Sequence, residues 1–146
     1  MRAGRAGWGL GDVVFGLSRE LELQGNAVEI ILPKYDCVRY ERIYGLTVAY
    51  EHLWVPWFTA AVHCTVWFGW VDGRKCFFIE PHSEDNFFER GTLYGCDDDV
   101  ARFAFFSRAA LEFMLRSGKR PEVIHCHDWR RLWFRSCCSS SISRRA

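Results

Sequence analysis

Two segments with helical spacing of apolar residues, each followed by a glycine, most constrain the fold of this chain. The first spans residues 12–24 and precedes Gly25, and the second spans residues 97–117 and precedes Gly118. Glycine often follows the last residue of a helix, and an acidic residue such as Asp12 is favourable at a helix start. We therefore predict two amphipathic helices, the first with Asp12 as its N-cap.

Short apolar segments between and after these helices have the composition of strands. Residues 27–32 form an apolar-rich run that ends at Pro33, which is typical of a buried strand. Further strands are predicted over residues 47–54, 62–71, 75–79 and 122–126. The turn Asp72-Gly73-Arg74 joins two of them into a β-hairpin, which we expect to lie at the periphery of the domain. Helices that alternate with strands predict an α/β fold.

Composition restricts the class of protein further. The chain has 146 residues, 49% of them hydrophobic, which suits a single domain with a sizeable core. Its formal net charge of +1 is uneven, because residues 130–146 carry +5 and the remainder carries −4. We expect neither a nucleic acid nor a membrane as a partner, since the body is acidic and has no long apolar run.

The seven cysteines make an odd number, and most lie in or beside apolar segments. The chain does not start with the apolar core of a secretory signal. We therefore expect reduced thiols, many of them buried, rather than a disulfide framework.

Three short motifs are candidates for chemistry. Gly9-Leu10-Gly11-Asp12 is predicted as a glycine loop before a helix, which suits a phosphate but is more often an ordinary turn. His125-Cys126-His127-Asp128 lies at the carboxyl end of a predicted strand, which suits the edge of an active site. Asp97-Asp98-Asp99 is either a carboxylate site or the acidic first turn of a helix, and local evidence favours the second.

Metal binding and sugar binding are two further possibilities that the sequence disfavours. A zinc site on His125 and His127 is disfavoured, because Cys126 would point to the opposite face of a strand and no second cluster has zinc spacing. We therefore predict no metal. Tryptophans in the strand segments are predicted to pack rather than to bind sugar: Trp54, Trp57, Trp67 and Trp70.

Together, and in this order, the motifs resemble those of one family, the bacterial glycogen synthases and plant starch synthases. The matching stretches are GLGDVV at 9–14, ILPKYD at 31–36, WFGWVDGRKCFFIEPHSEDNFF at 67–88, YGCDDDVARFAFFSRAALEFML at 94–115 and PEVIHCHDW at 121–129. The sequences of these stretches are most similar to those of the plant soluble starch synthases. The resemblance implies an incomplete Rossmann-like α/β domain, the N-terminal half of a GT-B glycosyltransferase, with an inserted β-hairpin.

The activity that the resemblance implies is a retaining transfer of glucose from ADP-glucose to the non-reducing end of an α-1,4-glucan. No cofactor is implied beyond ADP-glucose as the donor substrate. The expected partners are ADP-glucose and the glucan, amylose or amylopectin. The expected location is the plastid stroma, in a chloroplast or amyloplast.

Residue roles follow from the same resemblance. Asp98 and His127 match catalytic positions near the transferred glucose, and Asp128 matches a substrate-binding position. Gly9, Gly11 and Asp12 match the loop on the donor side of the cleft. The family's loop lysine is not matched: its place falls on Ala6, or on Arg5 if Trp8 is an insertion. Trp8 also adds bulk where the backbone would approach the donor phosphates, so the resemblance does not extend to that contact.

The extent of the match divides the chain into three parts. Residues 1–8 form a divergent start, 9–129 an incomplete acceptor-side catalytic domain, and 130–146 an unrelated or disordered basic tail rich in serine and cysteine. We expect these 146 residues alone to be inactive, because the family's donor half is not among them. The alternative function is a non-catalytic fragment that binds glucan or a partner protein.

Overall fold

A computed structural model describes residues 9–127 of the chain. In chain order its helices and strands are α1 (Gly9–Leu23), β1 (Glu29–Pro33), a 3-10 turn (Tyr40–Arg42), β2 (Tyr44–Trp57), β3 (Ala60–Val71), β4 (Arg74–His82) and α2 (Asp99–Arg116). Both predicted helices and four of the five predicted strands are confirmed, with small shifts at their ends.

The four strands form one mixed sheet in the order β1-β4-β3-β2. β1 runs parallel to β4, with Pro33 opposite Ile79, while β3 is antiparallel to both of its neighbours. Because β1 and β4 run in the same direction, the segments that follow them leave the sheet at the same edge. We call this the carboxyl edge; it is marked by Pro33 and His82, the last residues of the two strands.

Each face of the sheet carries one helix. Side chains alternate along β4, so that Cys76 and Phe78 point to one face and Phe77 and Ile79 to the other. The first face packs against α1, and the second belongs to the larger core that includes the buried side of α2. The result is a sheet between two helices, which confirms the predicted α/β class.

The hairpin of β3 and β4 is an integral part of this sheet. The expectation that it lies at the periphery is wrong, because residues Lys75–Ile79 of β4 pair with the whole of β1 and β3 occupies the next position. Four consecutive β4 residues from Cys76 to Ile79 are buried, so this strand is covered on both faces. The segment WVDGRKCFFIEP is rich enough in apolar residues to fill a central position.

Two local predictions are also wrong. α1 begins at Gly9, three residues before the predicted N-cap, so Gly9-Leu10-Gly11-Asp12 is the first helical turn and not a loop. Residues 122–126 are not a strand and pair with none of the four strands of the described sheet. Val123 in this segment is exposed, and an apolar run without a neighbouring strand has no ladder to stabilise it.

The tryptophans divide between core and surface. Trp57 packs on Phe87 and Phe105, and the Trp67 indole lies over the α1 face, so the predicted packing role is confirmed for these two. Trp54 is more than half exposed beside the His63 ring. Cys64 and Cys76 are buried free thiols, and burial raises the pKa of each to about 12.

Within residues 9–127, no helix is long and apolar enough to cross a membrane. The proposed segments 1–8 and 130–146 lie outside the described residues, so the division into three parts remains a prediction.

Phe105 is the core position whose loss we expect to be most costly. Its ring is fully buried, stacks on Phe87 at 4.5 Å between centroids and meets Trp57 edge-on at 5.3 Å. We predict that Phe105→Ala lowers the free energy of unfolding by about 3–5 kcal/mol, because the cavity is walled by other aromatic rings. Urea unfolding of the purified chain measures this.

The matched control is Leu115→Ala on the same helix, since Leu115 is 64% exposed. We expect it to change the free energy of unfolding by less than about 0.5 kcal/mol. Equal effects of the two substitutions would contradict the assignment of α2's buried face.

Candidate active site

Four segments of the chain come together at the carboxyl edge. Residues 34–39 follow β1 there, and the long segment 83–98 follows β4 and leads into the start of α2. α1 is joined to the start of β1 by the short connection 24–28, so its own first turn lies at the opposite, carboxyl end. The 3.3 Å contact between Glu22 near the end of α1 and Arg74 at the start of β4 supports this orientation. Two helix N-termini with their unpaired N–H groups therefore point to one edge.

A fully buried arginine ties the 83–98 segment to α2. Arg102 Nε donates to the Phe87 carbonyl at 2.5 Å, and Nη1 donates to Asp99 Oδ1 at 2.8 Å. Its guanidinium lies over the rings of Phe88 and Phe103, with its central carbon 5.6 and 5.4 Å from their centroids. The charge is thus buried with one anionic partner and two aromatic faces, which is how a protein tolerates a buried guanidinium.

Asp99 closes the end of the same segment. Its two carboxylate oxygens accept the N–H groups of Gly95 at 2.7 Å and Cys96 at 3.2 Å, in addition to the Arg102 bond. Partial burial acts to raise the pKa of Asp99, but these backbone bonds and the Arg102 charge outweigh it and hold the pKa below its ordinary value. Asp99 is therefore a structural carboxylate of the turn before α2.

Asp98 takes a different role from its neighbour. It occupies the N-cap position of α2, but its side chain makes no capping hydrogen bond. Its carboxylate pairs with Arg90, with Nη2 to Oδ2 at 2.9 Å and Nη1 to Oδ1 at 3.4 Å. The Asp98 side chain is 39% exposed, so a part of the carboxylate faces solvent at the carboxyl edge.

The tip of the 83–98 segment is fastened to the turn after β1. Both oxygens of Asp36 accept the Gly91 N–H, each at 3.0 Å, and the Asp36 N–H donates to the Phe88 carbonyl at 3.1 Å. Gly91 has φ +65, a left-handed conformation that favours glycine. These bonds hold the two post-strand segments in one fixed arrangement.

A second charged pair supports the edge from the α1 face. Lys34 Nζ donates to Glu80 Oε1 at 2.7 Å, and Trp67 Nε1 donates to Glu80 Oε2 at 2.6 Å. Partial burial acts to raise the pKa of Glu80, but the bonds from Lys34 and Trp67 and the lysine charge lower it overall.

The predicted donor-side residues lie in the first turn of α1. Gly9 and Gly11 are helical, and Asp12 is exposed in that turn. Among the described residues, Asp12 makes no side-chain hydrogen bond or ion pair, whereas Asp98 is paired with Arg90. The structure thus brings α1 and Asp98 to one edge of the sheet without a direct contact between Asp12 and Asp98.

His127 is partly buried, and its ring stacks on that of His125 with centroids 4.4 Å apart. The two rings are close although the predicted strand beneath them does not form. Asp128 lies outside the described residues, so its predicted role stays a prediction.

Sequence reasoning missed Arg90, Arg102 and Asp36 as residues that build this edge. For Arg102 a signal was present, because it stands among the apolar positions of the second helix, where a charge must be paired. Nothing in the local sequence distinguishes Arg90 from an exposed arginine. No group of three or more histidine, cysteine or acidic side chains within residues 9–127 is arranged to hold a metal ion.

Chemically, the edge offers a partly exposed carboxylate, a fixed network of N–H and guanidinium donors, and the first turn of α1. A family model described as the starch synthase catalytic domain matches residues 7–134. The chain belongs to this family. The resemblance of its motifs to starch and glycogen synthases is thereby confirmed.

Individual relatives agree with the family match. Glycogen synthase 1 of Trichormus variabilis and probable glycogen synthase 2 of a Nostoc species are each 74% identical over 121 residues, 83% of this chain and 25% of the relative. The solved catalytic domain of starch synthase IV from Arabidopsis thaliana, bound to ADP and acarbose, matches with a TM-score of 0.88 and 42% identity. That match covers 97% of this chain and 28% of the solved one, and it confirms the GT-B fold class. The chain spans about a quarter of the length of the curated relatives it matches.

The buried arginine provides a stability test of the site. We predict that Arg102→Ala lowers the free energy of unfolding by about 3–5 kcal/mol, because it leaves the partly buried Asp99 carboxylate without its guanidinium. Arg108→Ala is the control on the same helix, since Arg108 approaches Glu112 only to 4.0 Å and is 32% exposed. We expect that change to cost about 0–1 kcal/mol. A mild effect of Arg102→Ala in urea unfolding would contradict the network.

The lowered pKa of Glu80 predicts a pH dependence of stability. The contribution of its bonds to Lys34 and Trp67 is complete above the ordinary glutamate pKa and is lost as the pH falls through the lowered folded-state pKa. We expect Glu80→Gln to cost about 1–2 kcal/mol near pH 7 and progressively less on acidification below about pH 4. Urea unfolding across this pH range, with the exposed Glu84→Gln as control, checks it; a difference that grows on acidification would contradict the assignment.

Proposed function

We propose that this chain forms the acceptor-side part of a retaining glucosyltransferase that moves glucose from ADP-glucose to the non-reducing end of an α-1,4-glucan. The observation that carries the proposal is the match to the Arabidopsis starch synthase IV catalytic domain, a structure bound to ADP and acarbose. That match covers nearly the whole chain at 42% identity, and the relatives at 74% identity are glycogen synthases. Starch or glycogen synthesis is the reaction class common to both.

Asp98 is the proposed catalytic carboxylate. Asp99 is built into the turn before α2, and Asp97 is exposed with no side-chain partner within residues 9–127. Asp98 combines partial exposure with a fixed partner, Arg90. A partly exposed carboxylate held in one direction suits hydrogen bonds from sugar hydroxyls and stabilises positive charge on the transferring sugar.

His127 and Asp128 are proposed to line the same edge on the sugar side. Stacking on His125 restricts the orientation of the His127 ring, which suits a group that positions a sugar. Support for Asp128 comes from the motif alone, since it lies outside the described residues.

The first turn of α1 is the proposed contact with the donor diphosphate. This turn, with the backbone N–H groups of Gly9 and Gly11, points to the carboxyl edge, and the first turn of a helix favours an anion. Glycines at these positions leave room for an anion to approach the backbone closely, and Asp12 stands beside them. No cofactor is proposed, because the leaving nucleotide is part of the donor substrate.

A plastid location, in a chloroplast or amyloplast, is proposed from the similarity of the motifs to plant starch synthases. Immunolocalisation in the source organism tests it. Signal over the plastid stroma supports this location, and signal elsewhere excludes it.

Activity is best tested in a chimera, because the relatives are four times longer than the matched segment. The chimera is the Trichormus glycogen synthase with its matching 121 residues replaced by those of this chain, assayed with labelled ADP-glucose and glycogen. We predict robust incorporation. We also predict that Asp98→Asn lowers kcat by about 100-fold or more, because a charge aimed at the transition state is lost.

Asp97→Asn is the matched control, since it removes the same charge from the adjacent, exposed residue. We expect it to change kcat by no more than about threefold, the scale of a weakly coupled surface charge. A chimera that binds glucan but transfers no glucose would favour the alternative of a non-catalytic glucan-binding fragment. Equal losses in the two asparagine variants would refute the role of Asp98.

A further inference from the structure

Arg90 crosses the base of the 83–98 segment and contacts both of its ends. Its Nε donates to the Asn86 carbonyl at 2.8 Å, and its Nη2 donates to the Asp85 carbonyl at 2.6 Å. The outer edge of the same guanidinium meets the Asp98 carboxylate through the two contacts of 2.9 and 3.4 Å. One planar group thus joins the beginning of the segment to the residue that starts α2.

This arrangement differs from an ordinary surface ion pair. Such a pair contributes little because two mobile side chains must be ordered to form it. Here the guanidinium is already held by two backbone carbonyls, and its side chain is only 30% exposed. The planar fork of arginine therefore presents donors to Asp98 in a fixed direction, which the single ammonium of lysine does not reproduce.

The helix itself does not orient Asp98. A residue at the N-cap position commonly turns its side chain back to the first N–H groups of the helix, but Asp98 makes no such bond. Asp99 instead accepts the Gly95 and Cys96 N–H groups. Among the contacts of the described residues, those that fix the direction of the Asp98 carboxylate come from Arg90.

We propose that Arg90 is a positioning residue for the transfer reaction, which acts by holding the Asp98 carboxylate toward the sugar. The inference rests on the proposed function, because it takes Asp98 as the carboxylate that the reaction needs. Arg90 itself contacts no substrate in this scheme. Its effect on the rate passes through Asp98, and that dependence separates it from a residue that merely holds the segment in place.

A double-mutant cycle in the glycogen synthase chimera measures this dependence. The variants are Arg90→Gln, Asp98→Asn and the two combined, with kcat and KM for ADP-glucose determined for each. We expect Arg90→Gln to lower kcat about 10-fold and the double variant to be no slower than Asp98→Asn alone, since coupled residues are non-additive. KM for ADP-glucose should change less than about twofold, because positioning the carboxylate affects the transition state rather than donor binding.

Two further variants keep the result interpretable if Arg90→Gln impairs folding. Arg90→Lys retains the charge but not the fork, and we expect it to recover about a third of the activity of the unsubstituted chimera. Arg74→Gln breaks the pair with Glu22 at the other edge of the sheet, and we expect unchanged kcat. Thermal melts of the purified 146-residue chain carrying each substitution report its effect on folding.

Each of the following outcomes tests whether Arg90 acts through Asp98. If the losses from Arg90→Gln and Asp98→Asn multiply in the double variant, Arg90 acts independently of Asp98 and the positioning role is refuted. If Arg90→Gln keeps full activity while Asp98→Asn lowers kcat, the positioning role is refuted and the proposed function is unaffected. Full activity of Asp98→Asn removes the catalytic assignment and the positioning role together. Full activity of Arg90→Lys, with unchanged melting, would show that the charge alone suffices and would refute the role of the planar fork.

Discussion

The bond from the buried Arg102 guanidinium to the Phe87 carbonyl is the interaction on which the carboxyl edge depends. Residues 83–98 contain no helix or strand, so their conformation must come from contacts with neighbouring elements. Arg102 holds the segment from inside, between Phe88 and Phe103, and pairs with Asp99 where the segment enters α2. A buried cation without these partners would strongly destabilise the core, so the correct path of the segment and the stability of α2 are linked.

Parallel pairing of β1 with β4 decides where this network lies. It brings the segments after Pro33 and His82 to the same edge, and Asp36 then bonds to Gly91 across them. The same edge receives the first turn of α1, because α1 runs back toward the start of β1. The match to the starch synthase catalytic domain, residues 7–134, covers this whole unit from the first helix to the end of the second.

Much of the fold was predictable because it follows from local patterns. The apolar spacing of both helices and the Asp72-Gly73 turn determine elements that the structure contains. The central position of β4 was not predictable from local signals, since pairing with β1 is a contact between distant residues. Segment 122–126 shows the converse: its strand-like composition is insufficient without a neighbouring strand. At the site, the motif is enough to predict Asp98 as a candidate, but the contacts of Arg90 and Asp36 depend on a path that only the folded chain reveals.

The consecutive aspartates divide between a structural role for Asp99 and the chemical role that we propose for Asp98. Asp99 uses its carboxylate oxygens on backbone N–H groups and a buried arginine, and its lowered pKa reflects that these bonds favour the charged form. Within residues 9–127, Arg90 is the one side-chain partner of Asp98, which retains exposed surface. Because Asp99 and Arg102 already stabilise the helix start, Asp98 is not required for capping. The fold orients the Asp98 carboxylate through Arg90 without engaging it in helix capping. Such a carboxylate can accept hydrogen bonds from the hydroxyls of a transferring sugar.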